Sequence, residues 1–363
     1  MNVLIAIHLT GSKISGAKNK VPTKSSEYTE YTEYTEYTEN TELKENTGLR
    51  KKRGTFLGIL ALIFWSTSVA FSRSVTEHIG TLNTAFFNLL FSGLLLVFIQ
   101  GIIYKKEFFF KIRHLPLAYF YKVGIFMIFY MVIFYTAVGE ASSRQAVIVV
   151  GIINYLWPGL TFFFSVPLLR HKANYTLLTV GIIIAFAGTA AALLEGNHLS
   201  VSDIRLTLSK NFLPYGMALL AAISWGLYSN LARKFRSNED IISIPLNFII
   251  SSGVVLVLLI FQGRMPVLSL AGWEYLEFAY LVMFPTALAY LAWNRAMRDG
   301  NKNLVTAFSY LTPLVSTFIS GLYLRVNIGA GFWVGAVMVL LGAFICKAAL
   351  KSPHHVINPL LRQ

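Results

Sequence analysis

From Gly54 to Ala349 the chain is a succession of apolar runs of 18 to 25 residues, separated by short polar breaks. A helix needs about 20 apolar residues to cross roughly 30 Å of hydrocarbon, so each run is long enough to span a bilayer. We read ten of them, at 54–73, 82–103, 117–139, 145–168, 175–194, 213–232, 243–262, 274–296, 303–323 and 329–349. Composition agrees, since 55% of the 363 residues are hydrophobic and 13% charged, whereas a soluble domain carries roughly 25% charged residues. The sequence therefore describes an all-α polytopic membrane protein with the lipid bilayer as its partner.

The net charge of +14 does not point to a nucleic acid, because Lys and Arg sit in short clusters between apolar runs and form no continuous basic stripe. The membrane accounts for them, as cytoplasmic loops retain positive charge. With the N-terminus inside, one set of loops holds eighteen Lys and Arg, from Lys51 to Arg362. The other set holds only Arg73, Arg144, Arg205, Lys210, Arg264 and Arg325. Both termini are expected in the cytoplasm.

Matching residues recur at a nearly constant offset when the second half is laid over the first. Trp65 and Arg73 match Trp225 and Arg233 at 160. Tyr135, Tyr155, Leu156, Pro158 and Arg170 match Tyr290, Tyr310, Leu311, Pro313 and Arg325 at 155, and Gly181 and Gly188 match Gly335 and Gly342 at 154. Five helices per half make the second copy enter from the opposite side. The expectation is ten transmembrane helices arranged as two inverted five-helix repeats, with a substrate site between them near the midplane.

Pro158 and Pro313 fall within the fourth and ninth runs, where each removes a backbone hydrogen bond and crowds the carbonyl four residues earlier. A kink or gap is expected at both, with the freed carbonyls of residues 154 and 309 lining a polar cavity; simple packing kinks are the alternative. Asn154 is an amide that needs partners inside the membrane. Tyr155, Trp157 and Tyr310 flank the prolines, and Trp65, Trp225, Tyr228, Tyr135, Tyr290 and Trp293 occupy nearby helices. Such rings are lipid-facing or interfacial in many membrane proteins; converging on one cavity, they would stack on an aromatic substrate or hold an ammonium. Gly181, Gly188, Gly335 and Gly342 give the fifth and tenth helices small faces for close packing, a scaffold role.

Buried carboxylates or histidines usually mark proton coupling. None is central here, because Glu140, Glu195, Glu274 and Glu277 sit at helix ends and Lys122 is placed to snorkel. Facilitated diffusion or exchange is favoured over strict proton antiport. Arg144, Arg295 and Arg298 could meet a substrate carboxylate, with interfacial anchoring the commoner role. An enzyme would need a nucleophile, acid/base or metal constellation. No H-E-x-x-H, G-x-S-x-G or Walker A pattern is present, His354-His355 is a tail pair, and Cys346 is a lone core residue. No cofactor or metal is expected, and the ligand is a small-molecule substrate. The sequence leaves the oligomeric state open, a monomer included.

Four stretches carry a family resemblance: Phe64-Trp65-Ser66-Thr67, Asn154-Tyr155-Leu156-Trp157-Pro158, Ala289-Tyr290-Leu291-Ala292-Trp293-Asn294 and Ser309-Tyr310-Leu311-Thr312-Pro313. From about Lys51 to Lys351 the chain resembles the drug/metabolite transporter superfamily with its duplicated EamA unit, and within it the YddG-type aromatic amino acid exporters. The resemblance implies an inner-membrane exporter of aromatic amino acids and similar metabolites, working by alternating access. It also implies a cavity lined from the third, fourth, sixth and ninth helices, with Tyr155, Trp157 and Trp225 foremost and Tyr135 and Tyr310 after them. Other solutes transported in the superfamily, such as other amino acids, nucleosides or cationic drugs, are the alternative.

The organisation expected is a first EamA-type repeat over 54–196, a second over 213–350 and a cytoplasmic tail at 351–363. Residues 1–53 form a separate extension in which Tyr28-Thr29-Glu30 repeats to Glu39. So polar a tract cannot bury a core and is expected to be disordered. Met1–Leu9 lacks the basic flank and the apolar length of a secretory signal. An initiation codon assigned too far upstream would explain the extension, and sequencing the N-terminus of native protein tests that.

Overall fold

The computed structural model describes residues 27–195, 201–235 and 240–350. Every regular element within them is a helix, and their one β contact is an isolated bridge between Ala173 and Leu350. Helix α1 runs Glu27–Ile79, α2 Thr81–Arg113 and α3 Leu117–Glu140. Helix α4 is split into α4a, Arg144–Asn154, and α4b, Trp157–Leu169, and α5 spans Tyr175–Glu195. In the second half α6 covers Val201–Phe235, α7 Asp240–Phe261 and α8 Glu274–Asp299. Helix α9 is split into α9a, Lys302–Ser309, and α9b, Thr312–Leu324, and α10 spans Ala330–Ala349. Among the described residues nine stretches are long and apolar enough to cross a membrane. In α9 the described apolar helix is α9b, whose 13 residues are shorter than a span.

The extension differs from the expectation drawn from its composition: residues 27–53 continue α1 instead of standing apart, while residues 1–26 lie outside the described residues. Nucleating a helix is costly but propagating one is cheap. A span fixed at 54–79 can therefore extend backwards through the Tyr-Thr-Glu repeat, which contains neither Gly nor Pro between residues 27 and 47. The expected tail at 351–363 also lies outside the described residues.

The two prolines sit differently from mid-helix kinks. Each falls at the second position of a new helical segment, where a backbone N–H has no partner to lose. In α4 the Tyr155 N–H still reaches Gly151 O, the Leu156 N–H turns to Ile153 O, and a fresh helix starts with Leu160 N–H to Leu156 O at 3.0 Å. Helix α9 repeats the pattern, with Leu311 N–H to Phe308 O and Val315 N–H to Leu311 O. Both second segments end on an arginine with left-handed backbone, Arg170 (φ 57°) and Arg325 (φ 53°). Asn154 and Ser309 are thus the last residues of α4a and α9a, each directly before a break.

Helices α3 and α8 each contain a widened π turn, at Phe120–Gly124 and Val282–Leu288. Pro285 lies inside the second, and its missing N–H and ring bulk are the local cause.

Helix packing follows the repeat. Helix α5 packs on α10 and α2 on α7; α3 and α4b pack on α6, as α8 and α9b pack on α1. The α5–α10 contact is reciprocal. A Cβ on Gly181 would lie 2.8 Å from Gly342 O and one on Gly342 2.5 Å from Gly181 O; the corresponding distances for Gly188 and Gly335 are 2.7 and 2.6 Å. Numbers rise along one helix as they fall along the other, so the pair is antiparallel, and small residues at each contact let the backbones touch.

Candidate functional site

The two breaks border a small cavity of about 40 Å³ in the middle of the bundle. Helix α1 supplies Leu62, Trp65 and Ser68; α3 Tyr130, Phe134 and Tyr135; α4 Asn154, Tyr155 and Trp157; α6 Trp225; α8 Pro285 and Tyr290; α9b Thr312. Trp225 is the hub. Its ring centroid lies 4.9 Å from Tyr130, 5.5 Å from Tyr228, 5.8 Å from Tyr290, 5.9 Å from Trp65 and 6.0 Å from Trp157. The contacts are edge-on or tilted, the arrangement in which a ring's positive edge meets another's negative face. Trp65 continues the cluster to Tyr290 at 5.0 Å and Trp293 at 5.1 Å.

Among the described residues no charged side chain lines the cavity. Its polar groups divide into satisfied and unsatisfied sets. The Tyr135 hydroxyl is 2.9 Å from Thr286 Oγ1, a residue that the π turn of α8 carries inward. Trp65 Nε1, Asn154 Oδ1 and Thr312 Oγ1 are buried without a hydrogen-bond partner among the described residues.

Of the residues singled out from sequence, Trp65, Tyr135, Asn154, Tyr155, Trp157, Trp225 and Tyr290 meet at this cavity. Tyr228 and Tyr310 do not line it. Tyr228 packs behind Trp225, and Tyr310 turns toward α10, 6.1 Å from Phe344 with Lys347 Nζ 5.5 Å over its ring. Pro158 and Pro313 open α4b and α9b just beside it, and the four glycines lie away at the α5–α10 seam. Sequence reasoning missed Leu62, Ser68, Tyr130, Phe134, Pro285 and Thr312. Thr312 stands where the repeat matches Trp157, at the same offset of 155, a signal available but not used. Tyr130 and Phe134 share the i, i+4 face of an almost wholly apolar helix, where nothing distinguishes inward from outward.

Both ends of the bundle are tied across elements. At one end Glu77 of α1 binds Arg73 at 2.9 Å and Arg144 of α4a at 2.5 Å; Arg144 also donates to Leu324 O of α9b at 3.0 Å. Nearby, Glu277 of α8 accepts from Ser74 of α1 and Tyr323 of α9b. At the other end Asp299 of α8 pairs with Arg50 of α1 and with Arg295 and Arg298, and Asn301 N–H donates to Thr55 Oγ1 at 2.8 Å. Arg144, Arg295 and Arg298 are therefore committed to carboxylates of the chain itself. At about 40 Å³ the cavity has space for a few waters and none for an amino acid side chain.

A family profile described as the EamA-like transporter family matches residues 52–194 and again 213–347. The chain is 29% identical to the "Aromatic amino acid exporter YddG" of Salmonella typhimurium, over 83% of this chain and 98% of that protein. It is 28% identical to the protein of the same description from Escherichia coli, over 83% and 99%. It is 25% identical to the "Uncharacterized transporter YyaM" of Bacillus subtilis, over 72% and 81%. A solved crystal structure shares the fold at a TM-score of 0.58 and 19% identity, covering 82% of this chain and 97% of that one.

Proposed function

The chain belongs to the EamA-like transporter family, and on that premise we propose that it exports aromatic amino acids across the inner membrane by alternating access. The observation that carries the reading is the uncharged aromatic cavity between the two helix breaks, with Trp225 at its centre. Tyrosine and tryptophan edges and faces suit a ring-bearing solute, and the YddG relatives are named for that substrate class.

Two halves facing opposite ways supply the movement. The antiparallel, reciprocal α5–α10 contact and the exchange of the α1–α8 and α3–α6 pairings between halves support an inverted repeat. With ten crossings and both termini cytoplasmic, the Glu77 end faces outward and the Asp299 end inward. Each end then acts as a gate, and rocking one half against the other opens one set of polar ties while keeping the other. Opening also widens the collapsed cavity enough to admit a ring. Among the described residues no carboxylate or histidine lines the site to carry a proton in step with the solute, which favours facilitated diffusion or exchange.

The test is resistance. Cells expressing the chain should grow in p-fluorophenylalanine concentrations that stop control cells, and Trp225→Ala should abolish the protection at equal membrane abundance. Equal growth of expressing and control cells, with the protein present in the membrane, would remove the substrate assignment.

A further inference from the structure

Three polar atoms of the cavity are unexplained by the fold. Buried donors and acceptors almost always find partners, and an unmatched one calls for a reason. Asn154 is 5% exposed and Thr312 3% exposed, and Asn154 Oδ1, Thr312 Oγ1 and Trp65 Nε1 are all buried without partners among the described residues. They come from α4a, α9b and α1, yet line one cavity. One is an acceptor, one a donor, and the hydroxyl is both. Thr312 also begins α9b, so the positive end of that helix dipole lies at the same spot. Among the described residues no charged side chain lines the cavity to select a net charge.

Resting on the proposed export of aromatic amino acids, we propose that these three residues read the zwitterionic head of the substrate. Asn154 Oδ1 accepts from its ammonium, while the Thr312 hydroxyl, the N-terminal end of α9b and the Trp65 indole N–H donate to its carboxylate. The substrate ring lies among Trp225, Tyr130 and Trp157, and Tyr155 and Trp157 offer ring faces to the ammonium. A neutral pair of poles suits an uncharged cavity, because a zwitterion brings both charges with it and each finds a preplaced dipole. The substrate class narrows accordingly to α-amino acids with both poles free and an uncharged ring. Amines or acids bearing one pole alone leave part of the site unmatched.

The experiment uses the full chain in proteoliposomes, with phenylalanine counterflow competed by phenethylamine, which lacks the carboxylate, and by 3-phenylpropionate, which lacks the ammonium. In wild type both should compete at least about tenfold more weakly than phenylalanine, as expected for losing a charge-assisted hydrogen bond. Asn154→Leu should raise the phenylalanine KM about tenfold and abolish competition by phenethylamine while sparing 3-phenylpropionate. Thr312→Val and Trp65→Phe should show the reverse pattern, and Thr312→Ser should restore wild-type behaviour. Variants that are monodisperse in detergent yet keep KM within twofold of wild type overturn the assignment, as does equal loss of affinity for both analogues. Wild type that carries phenylalanine but discriminates against neither analogue overturns this inference alone; wild type that carries no aromatic amino acid overturns the proposed function with it.

Discussion

Trp225→Ala separates transport from packing. The indole is 6% exposed and meets five rings with centroids between 4.9 and 6.0 Å away. At about 0.5–1.5 kcal/mol per aromatic pair, the five contacts sum to about 2.5–7.5 kcal/mol, which brackets the roughly 3–5 kcal/mol of a core Trp→Ala truncation. The variant is therefore destabilised, and lost flux alone would say nothing about the site. Phe248→Ala provides the comparison. Phe248 is fully buried, 5.3 Å from Tyr290, and does not line the cavity, so its truncation costs a similar amount of packing. The assay is phenylalanine flux in proteoliposomes normalised to folded protein, alongside thermal stability in detergent. Per folded molecule, Trp225→Ala should lose up to about tenfold, the worth of one strong aromatic stacking partner. Trp225→Phe should keep most of the flux, and Phe248→Ala should be near wild type. Equal flux per folded molecule in Trp225→Ala and Phe248→Ala would refute the placement of Trp225 at the substrate.

Three further outcomes follow from the same structure. Glu77→Gln removes a carboxylate shared by Arg73 and Arg144; since Arg144 is 44% exposed the stability loss should stay within about 1 kcal/mol. In a Cys346→Ala background, however, a Ser68→Cys probe should react several-fold faster with an externally added thiol reagent; unchanged labelling would mean that the Glu77 ties do not hold a gate. Gly342→Leu places a side chain where a Cβ alone is 2.5 Å from Gly181 O, so it should abolish a monodisperse elution profile, and a well-behaved variant would contradict the α5–α10 contact. Reporter fusions should place Phe110 in the cytoplasm and Asp203 outside; both on one side would rule out inverted halves.

The helical architecture was legible in the sequence because hydrocarbon thickness and backbone hydrogen bonding leave so few options to a chain with such long apolar runs. Pro158 and Pro313 marked two irregular sites, but not that both helices would restart cleanly there with the prolines at position two. That outcome depends on neighbouring helices accepting a break. Which aromatic rings face inward was only partly readable. Trp65, Trp225 and Tyr155 stood out through the repeat, whereas Tyr310 shares the match with Tyr155 yet turns to Lys347 and Phe344. The repeat is approximate, and side-chain direction at a break is set by local packing. Pro285 and Thr286 reach the site through a π turn, a register change no hydrophobic period encodes. The ties made by Glu77, Glu277 and Asp299 were invisible for a similar reason, since their partners are distant in sequence.

Counterflow in liposomes containing only the purified protein tests the central claim most directly. Vesicles loaded with unlabelled phenylalanine should accumulate external labelled phenylalanine transiently and saturably, tryptophan and tyrosine should substitute inside, and alanine or lysine should not. Labelled phenylalanine that equilibrates no faster than in protein-free vesicles, or uptake driven equally well by internal lysine, would contradict an aromatic amino acid carrier built around Trp225.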